Sequence, residues 1–464
     1  LDALNEAFVA RFMALRFSTD VTPYQGIHGV PTATCVSFSA QGAETRRRFW
    51  RLEPGIIRYR DKRQYEEHLR ALWMEAIGAR LRAEGTVWAE LSGGLDSSSV
   101  VCMADALIKA GRVAATGIQP LSHVTLHSPE GDERPFIAEV EAKVGIQSCV
   151  LGVEEHEETW EHEWDWVTPF VSYGVALAAR RYVRERGGRL ILSGRAGDTV
   201  MGCAPDNSVA VFDDLTEGHL VRTLVKMRQW SRACRKPFVE IARELARQAA
   251  HAWPPALRPS ALNDAQRAGA MLLTQTLQTL LCDVPAGEAN RLSGRWSQRG
   301  LIESVWGYSL EGRLSPRSEL RGITYTYPFA HRPLIDFVLA IPGEELSAPG
   351  EMRSLMRRAF DGLVPARVLR RTSKGYYPPA AMRAARKVAA TMRPVERLEV
   401  VRRGWIDSER LDTAVSTLID GNGSTGAEVR KVMCLEQWLS SRYRRGPAET
   451  PQRKEVISHA VLEA

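Results

Sequence analysis

The sequence sets Leu91-Ser92-Gly93-Gly94-Leu95-Asp96-Ser97-Ser98-Ser99 between two apolar segments of different period. Before it, Thr86 to Glu90 reads as a strand. After it, Val100 to Ile108 has the spacing of a helix. Glycines let a backbone approach an anion closely, and the first N–H groups of a helix, with its dipole, point at that anion. Phosphate is the anion such a loop suits. Leu91, Ser92, Gly93, Gly94, Ser97 and Ser98 form the expected cradle, with the serines adding hydroxyl donors. Asp96 would repel a bare phosphate, so its presence predicts a divalent cation, Mg²⁺, between carboxylate and phosphate. The loop lacks the Gly-Lys-Ser/Thr ending of a Walker P-loop.

A second small-residue loop, Ser193-Gly194-Arg195-Ala196-Gly197-Asp198, directly follows the apolar run Leu190-Ile191-Leu192. It too ends in an aspartate. An Asp in a glycine turn is often only a helix cap. Paired with the first loop, Ser193 and Gly194 become further phosphate contacts, and Asp96 and Asp198 a pair that holds Mg²⁺ against a nucleotide.

The elements that must position these loops read as alternating strands and helices. A helix runs from Asp61, a plausible N-cap, to about Ala83, with Tyr65, Leu69, Leu72, Trp73, Ile77 and Leu81 on one stripe. Ser122 to His127 is a second strand. Asp132 then caps a helix that Gly145 stops, and Ser148 to Val153 is a third strand. A helix from about Val171 to Arg186 leads through Gly187-Gly188 to the strand Arg189 to Leu192. This alternation predicts an α/β fold with a parallel sheet and helices on both faces, its ligands at the carboxyl ends of the strands.

Ahead of it, Leu4 to Leu15 reads as a short helix, and Ala33 to Phe38 and Arg47 to Leu52 as strands. Beyond it, Leu220 to Trp230 and Val239 to Ala252 are amphipathic, and Ala268 to Leu281 is apolar enough for one buried helix. In the acidic stretch Glu154 to Asp165, His156 and His162 fit no common metal-ligand spacing, so it reads as a solvated connector.

The 464-residue length suffices for a large core and more than one domain. No run is long and apolar enough to span a bilayer. The start, Leu1-Asp2-Ala3-Leu4, has neither Met nor a signal-peptide pattern and reads as the middle of a longer chain. Seven scattered cysteines without a C-x-x-C point to a reducing cytoplasm rather than a disulfide framework or structural zinc. The net charge of +7 suits an anionic ligand but is too spread out for a nucleic-acid interface.

The first loop resembles the pyrophosphate loop of the ATP pyrophosphatases, Ser-Gly-Gly-x-Asp-Ser. Both loops together resemble the synthetase half of the asparagine synthetase family. Further matches follow in order: Tyr327-Pro328-Phe329-Ala330-His331-Arg332 with Leu334 to Pro342, then Leu363-Val364-Pro365 with Arg370 to Gly375, then Glu436-Gln437-Trp438-Leu439. The resemblance covers about Asp61 to Arg442. It implies two domains: residues 1–55, the end of a β-rich, glutaminase-type domain, and residues 56–464, an ATP-dependent amide-forming domain with a helical C-terminal part.

Within that family the chain is most similar to the lasso-peptide macrolactam synthetases, or lasso cyclases. The helix from Arg353 to Ala359 leading into Ser373-Lys374-Gly375 resembles theirs. The second loop has Arg195 where asparagine synthetases carry Glu, and Thr199 after the Asp instead of Glu. A guanidinium accepts no proton at neutral pH, so no general base carries over.

The resemblance implies ATP and Mg²⁺ as cofactors, Asp96, Asp198 and Lys374 as catalytic residues, and Lys374 over the α-phosphate or a developing oxyanion. Leu126, in the segment Val124 to His127, would meet adenine through its backbone. Asp132 and Glu133 fit either an acidic pair near the site or plain helix capping. The implied partners are a precursor core peptide, a leader-binding protein and a leader peptidase, with neither nucleic acid nor membrane. Rival readings are an asparagine or β-lactam synthetase, and a tRNA-thiolating ATP pyrophosphatase, whose usual paired cysteines or zinc module are missing.

Overall fold

A computed structural model describes residues 3–16, 21–50, 55–127, 131–156, 174–202, 208, 210–252, 264–281, 295, 297–298, 301–302, 305, 322–372 and 378–444. Its frame is a five-stranded sheet of β3 (Gly85–Glu90), β4 (Ala115–Val124), β5 (Cys149–Gly152), β6 (Leu190–Leu192) and β7 (Thr324–Thr326), in the order β5-β4-β3-β6-β7. Every pairing in it is parallel. The chain winds from β3 out to β5 on one side, then returns to add β6 and β7 on the other. The order reverses between β3 and β6, so the loops after these two strands lie side by side over a crevice. That position is where open parallel sheets bind ligands.

Side chains of β3 alternate between two cores, as a strand of period two must. Val87 and Ala89 join the main core with helix α2 (Arg63–Gly78) and helix α3 (Leu95–Lys109). Trp88 faces the opposite side, with Leu121, Ile191 and, from helix α5 (Gly174–Glu185), Ala179 and Val183. Helix α4 (Arg134–Val144) contributes Ile137 and Val140 to the main core and ends at Gly145, whose φ of 77° is the left-handed stop expected of it. On α2, Trp73 is fully buried and meets Phe329 at 4.3 Å and Phe360 at 5.7 Å between ring centroids. This aromatic cluster ties α2 to the Tyr327–Arg332 motif and to the end of the helix Ser354–Ala359.

Helix α1 (Glu6–Met13) belongs to a different core. Phe8, Val9, Phe12 and Met13 pack with Trp405, Leu411, Leu435 and Trp438 in a separate helical core. Strands β1 (Thr34–Phe38) and β2 (Glu44–Arg48) form an antiparallel hairpin.

Several elements differ from the reading of the sequence. The second strand starts at Ala115 rather than Ser122, because β3 supplies partners along its whole length despite Gly117 and Pro120. The strand expected at Arg47–Leu52 sits earlier, as Glu44–Arg48. The single helix expected over Ala268–Leu281 is two, Asp264–Met271 and Gln275–Thr279. Leu273 bridges Ile406 between them, and tertiary pairing overrides helical spacing there.

His123 lies near the end of β4. Burial, with His156 beside it, pulls its pKa from the ordinary 6.5 down to about 4. The folded chain therefore keeps this imidazole neutral at a pH where the unfolded chain protonates it. Stability is full above pH 6.5 and is lost as pH falls from there toward 4. His123→Gln removes about 2 kcal/mol of the stability difference between pH 7 and pH 5, read from urea midpoints at the two values. An unchanged pH dependence contradicts this assignment.

Candidate active site

Helix α3 begins directly after Gly94, which caps it with extended backbone (φ −81°, ψ 160°) and no side-chain cap. The first turn of α3 therefore presents its backbone N–H groups toward the loop. Gly93 has φ +69°, and a Cβ there would stand 2.8 Å from the Phe136 Cβ and 3.2 Å from the Glu133 carbonyl oxygen. Only glycine meets both demands.

The serines divide their work. The Ser97 hydroxyl accepts from the Ser92 N–H at 3.0 Å and lies 3.0 Å from the Ser92 hydroxyl, so it braces the loop from within. Ser98 is sealed from solvent, and its N–H donates to the Gly94 carbonyl at 3.0 Å. Leu91 is buried beneath the loop.

The second loop packs straight onto the first. A Cβ on Gly194 would lie 2.7 Å from the Ser97 backbone nitrogen, and one on Gly197 would lie 2.4 Å from the Asp96 carboxylate carbon. Ala196 adopts φ +71°, a left-handed conformation unfavourable for a residue with a Cβ. It starts the short helix α6 (Gly197–Met201) and brings Asp198 round toward the first loop. Ser193 donates its hydroxyl to Glu90 at the end of β3 and its N–H to the Thr326 carbonyl at 2.9 Å. Burial raises the Glu90 pKa, against the opposing effects of the Ser193 hydroxyl and the Arg195 and Arg180 charges. Arg195 itself is exposed.

Asp96 and Asp198 converge on one point, as the two loops require, and a cation stands at that point. It is the guanidinium of Arg353. Its Nη1 lies 2.7 and 2.9 Å from the two Asp96 oxygens, and its Nη2 contacts the Asp198 carboxylate. The Asp96 side chain is 14% exposed and the Asp198 side chain 53%. Among the described residues no group of three or more His, Cys, Asp or Glu side chains gathers as a metal site. The donor set of two carboxylates nevertheless fits Mg²⁺, which usually takes one or two carboxylates and completes its shell with phosphate oxygens and water.

A second arginine locks the loop at Gly93 in place. Arg371 pairs with Glu133 through both of its terminal nitrogens, one at 2.6 Å, and lies 3.9 Å over the Phe136 ring. Its Nη1 also donates to the Gly93 carbonyl at 3.3 Å. Both side chains of this pair are more than nine-tenths buried. Asp132 accepts from the Arg134 N–H at 3.0 Å at the start of α4, while Glu133 is the anchor of Arg371.

Leu126 follows the end of β4, and its N–H donates to the Glu154 carboxylate at 2.9 Å, as does that of His127 at 3.2 Å. These two backbone donors already have an acceptor. Lys374, with Ser373 and Gly375, lies outside the described residues, as does His162. Neither Arg353 nor the Arg371–Glu133 pair was assigned a place from spacing, since their partners stand more than two hundred residues away in sequence.

A parallel α/β sheet with paired glycine loops and an aspartate pair at its switch point has its candidate site where open parallel sheets bind ligands. Residues 68–440 match the asparagine synthase family, and the chain belongs to that family. Its members use ATP and form amide bonds. The U34-tRNA thiolase NcsA from Methanococcus maripaludis, solved with its 4Fe-4S cluster, aligns with 14% identity over 54% of this chain and 80% of that one. Its TM-score of 0.24 is too low to carry an argument. The large ribosomal subunit protein bL20 of Cellvibrio japonicus is 40% identical over 50 residues, 11% of this chain and 42% of that protein. The chain thus spans under half of that relative, and so short a match bears on neither fold nor activity.

Proposed function

We propose that this chain closes a macrolactam ring in a ribosomally made lasso peptide. ATP activates a side-chain carboxylate of an Asp or Glu in the core peptide. That carboxylate attacks the α-phosphorus, pyrophosphate leaves, and an acyl-adenylate forms. The N-terminal amine of the peptide then attacks the acyl carbon, AMP leaves, and the amine loses a proton. The sum is one ATP converted to AMP and pyrophosphate and one water removed from the peptide.

The observation that carries the ATP half is the convergence of Asp96 and Asp198 at the switch point, with glycine-lined backbone on both sides. The backbone at Ser92 to Leu95 would cradle the departing pyrophosphate, and the Asp96–Asp198 pair would hold its cation. Bound there, Mg²⁺ supplies positive charge for the leaving group. By the family resemblance, Lys374 would supply a compact positive charge to the α-phosphate. Charge held in place before the reaction lowers the barrier without reorganisation. The rest of the rate comes from holding amine and acyl-adenylate in contact.

The subfamily reading is supported by Arg195. Its place in the second loop is that of a carboxylate in the asparagine synthetase pattern, and an exposed guanidinium performs no base catalysis. The domain division at residues 55 and 56, a leader-binding protein and a leader peptidase as partners, and cytoplasmic location belong to this same proposal. Cys35, Cys102 and Cys149 are free thiols, which agrees with a reducing compartment. No described helix is long and apolar enough to cross a membrane.

The test is a reaction of purified protein with Mg·ATP and the precursor peptide, its leader-removing partner supplied. The expected products are AMP and a peptide lighter by one water. AMP with asparagine made from aspartate instead assigns the chain to asparagine synthesis. A reaction that yields neither AMP nor the dehydrated peptide overturns the reading.

A further inference from the structure

We propose that Arg353 is a resident counter-ion that keeps divalent metal off the Asp96–Asp198 pair until a triphosphate arrives. The proposal rests on the reading that a triphosphate binds at these loops. Three nitrogens of the guanidinium each have an acceptor. Nη1 spans both oxygens of Asp96, Nη2 meets Asp198, and Nε donates to the Gly202 carbonyl at 3.0 Å, just beyond α6. One side chain thus closes the gap between the two loops and the end of the helix that carries the second aspartate. A bare Mg²⁺ entering here meets a positive charge already seated between its carboxylates.

The backbone of Arg353 shows what this seat demands. The residue has φ +55° and ψ 37°, left-handed values costly for a side chain with a Cβ. Its N–H is tied to the Ser347 hydroxyl at 3.2 Å, and the helix Ser354–Ala359 starts directly after it. The arm therefore projects from a backbone that belongs to neither of the loops it joins.

Two carboxylates and one guanidinium leave the cluster with one net negative charge. A triphosphate changes the preference of both cations. Phosphate oxygens accept an arginine fork in two parallel bonds, at least as well as a carboxylate does. Mg²⁺ gains the phosphate oxygens it lacks in the free protein. The guanidinium moves onto phosphate, and the aspartates pass to the metal. Metal and nucleotide then promote each other's binding, a coupling of the usual five- to hundredfold size.

The experiment needs no peptide and no turnover. Mn²⁺ binding to the full chain is titrated by electron paramagnetic resonance, with and without α,β-methylene-ATP. Without nucleotide, Arg353→Gln binds Mn²⁺ about tenfold more tightly than the wild type. With the nucleotide analogue the two differ by less than about threefold. Arg353→Gln/Asp198→Asn loses the gain. Arg353→Lys, whose single ammonium does not span both aspartates, shows part of it and serves if the glutamine variant does not fold.

Equal Mn²⁺ affinity in wild type and both Arg353 variants without nucleotide overturns the proposal. So does a gain that survives Asp198→Asn, which would put the metal elsewhere, or a tenfold difference that persists with the analogue. If the analogue binds none of the proteins, the functional reading fails, while the nucleotide-free titration still decides whether Arg353 guards the pair.

Discussion

Gly194→Ala lowers turnover about a hundredfold or more. The added methyl meets the backbone nitrogen of Ser97 at 2.7 Å and the carbonyl carbon of Asp96 at 2.9 Å. Neither is the far end of a side chain that swings aside. Both belong to the first turn of α3, which packs into the main core through Val100, Val101 and Ala104. The second loop must yield instead, and it carries Asp198 away from Asp96 by a large part of an ångström. A misplacement of about 1 Å at reacting groups suffices for a loss of that size. The overpacking costs about 1–3 kcal/mol of stability, so the protein still folds at room temperature. Pyrophosphate release and a urea melt measure the two effects. Turnover near the wild-type level would show that loop contact does not frame the site.

Asp96→Asn and Asp198→Asn each reduce turnover about a thousandfold or more, because each removes charge from the cation seat while keeping the shape of the side chain. Their stabilities separate them. The Asp96 and Arg353 side chains are 14% and 11% exposed, so Asp96→Asn strips a largely desolvated guanidinium of its two-oxygen partner. Breaking such a pair from one side costs about 3 kcal/mol. Asp198 is 53% exposed, and its loss is screened, with a cost of about 1 kcal/mol or less. Two variants equally dead in the pyrophosphate assay and unequal in thermal melts identify a shared chemical role over different structural ones. Full activity in either removes the cation seat from the mechanism.

The positions of both loops were readable from local sequence. A Gly/Ser segment stands between a strand and a helix at Ser92–Ser99, and a like pattern recurs at Ser193–Asp198. The β3–α3 and β6–α6 junctions then follow from where apolar runs stop. Adjacency of the two loops follows only from strand order, because the reversal between β3 and β6 is a property of the whole sheet. Strand β7 is three residues long, Thr324-Tyr325-Thr326, and too short and polar for any period to show. Arg353 and Arg371 fall in segments that the family resemblance picks out, but their partners do not show. An ion pair across 257 positions leaves no trace in spacing. The Asp132–Glu133 pair shows the same limit. Of two adjacent acids of equal appearance, Asp132 accepts from the Arg134 N–H and Glu133 is buried against the distant Arg371, a division that spacing does not show.

The central claim is that both loops grip one triphosphate and its cation at the reversal of the sheet. A crystal of the protein with α,β-methylene-ATP and Mn²⁺ tests it most directly, the metal being located by its anomalous scattering. The account predicts phosphate oxygens within hydrogen-bond distance of the backbone N–H groups from Ser92 to Leu95, and Mn²⁺ bound to Asp96 and Asp198. A nucleotide bound away from either loop, or a metal that touches neither aspartate, would contradict it.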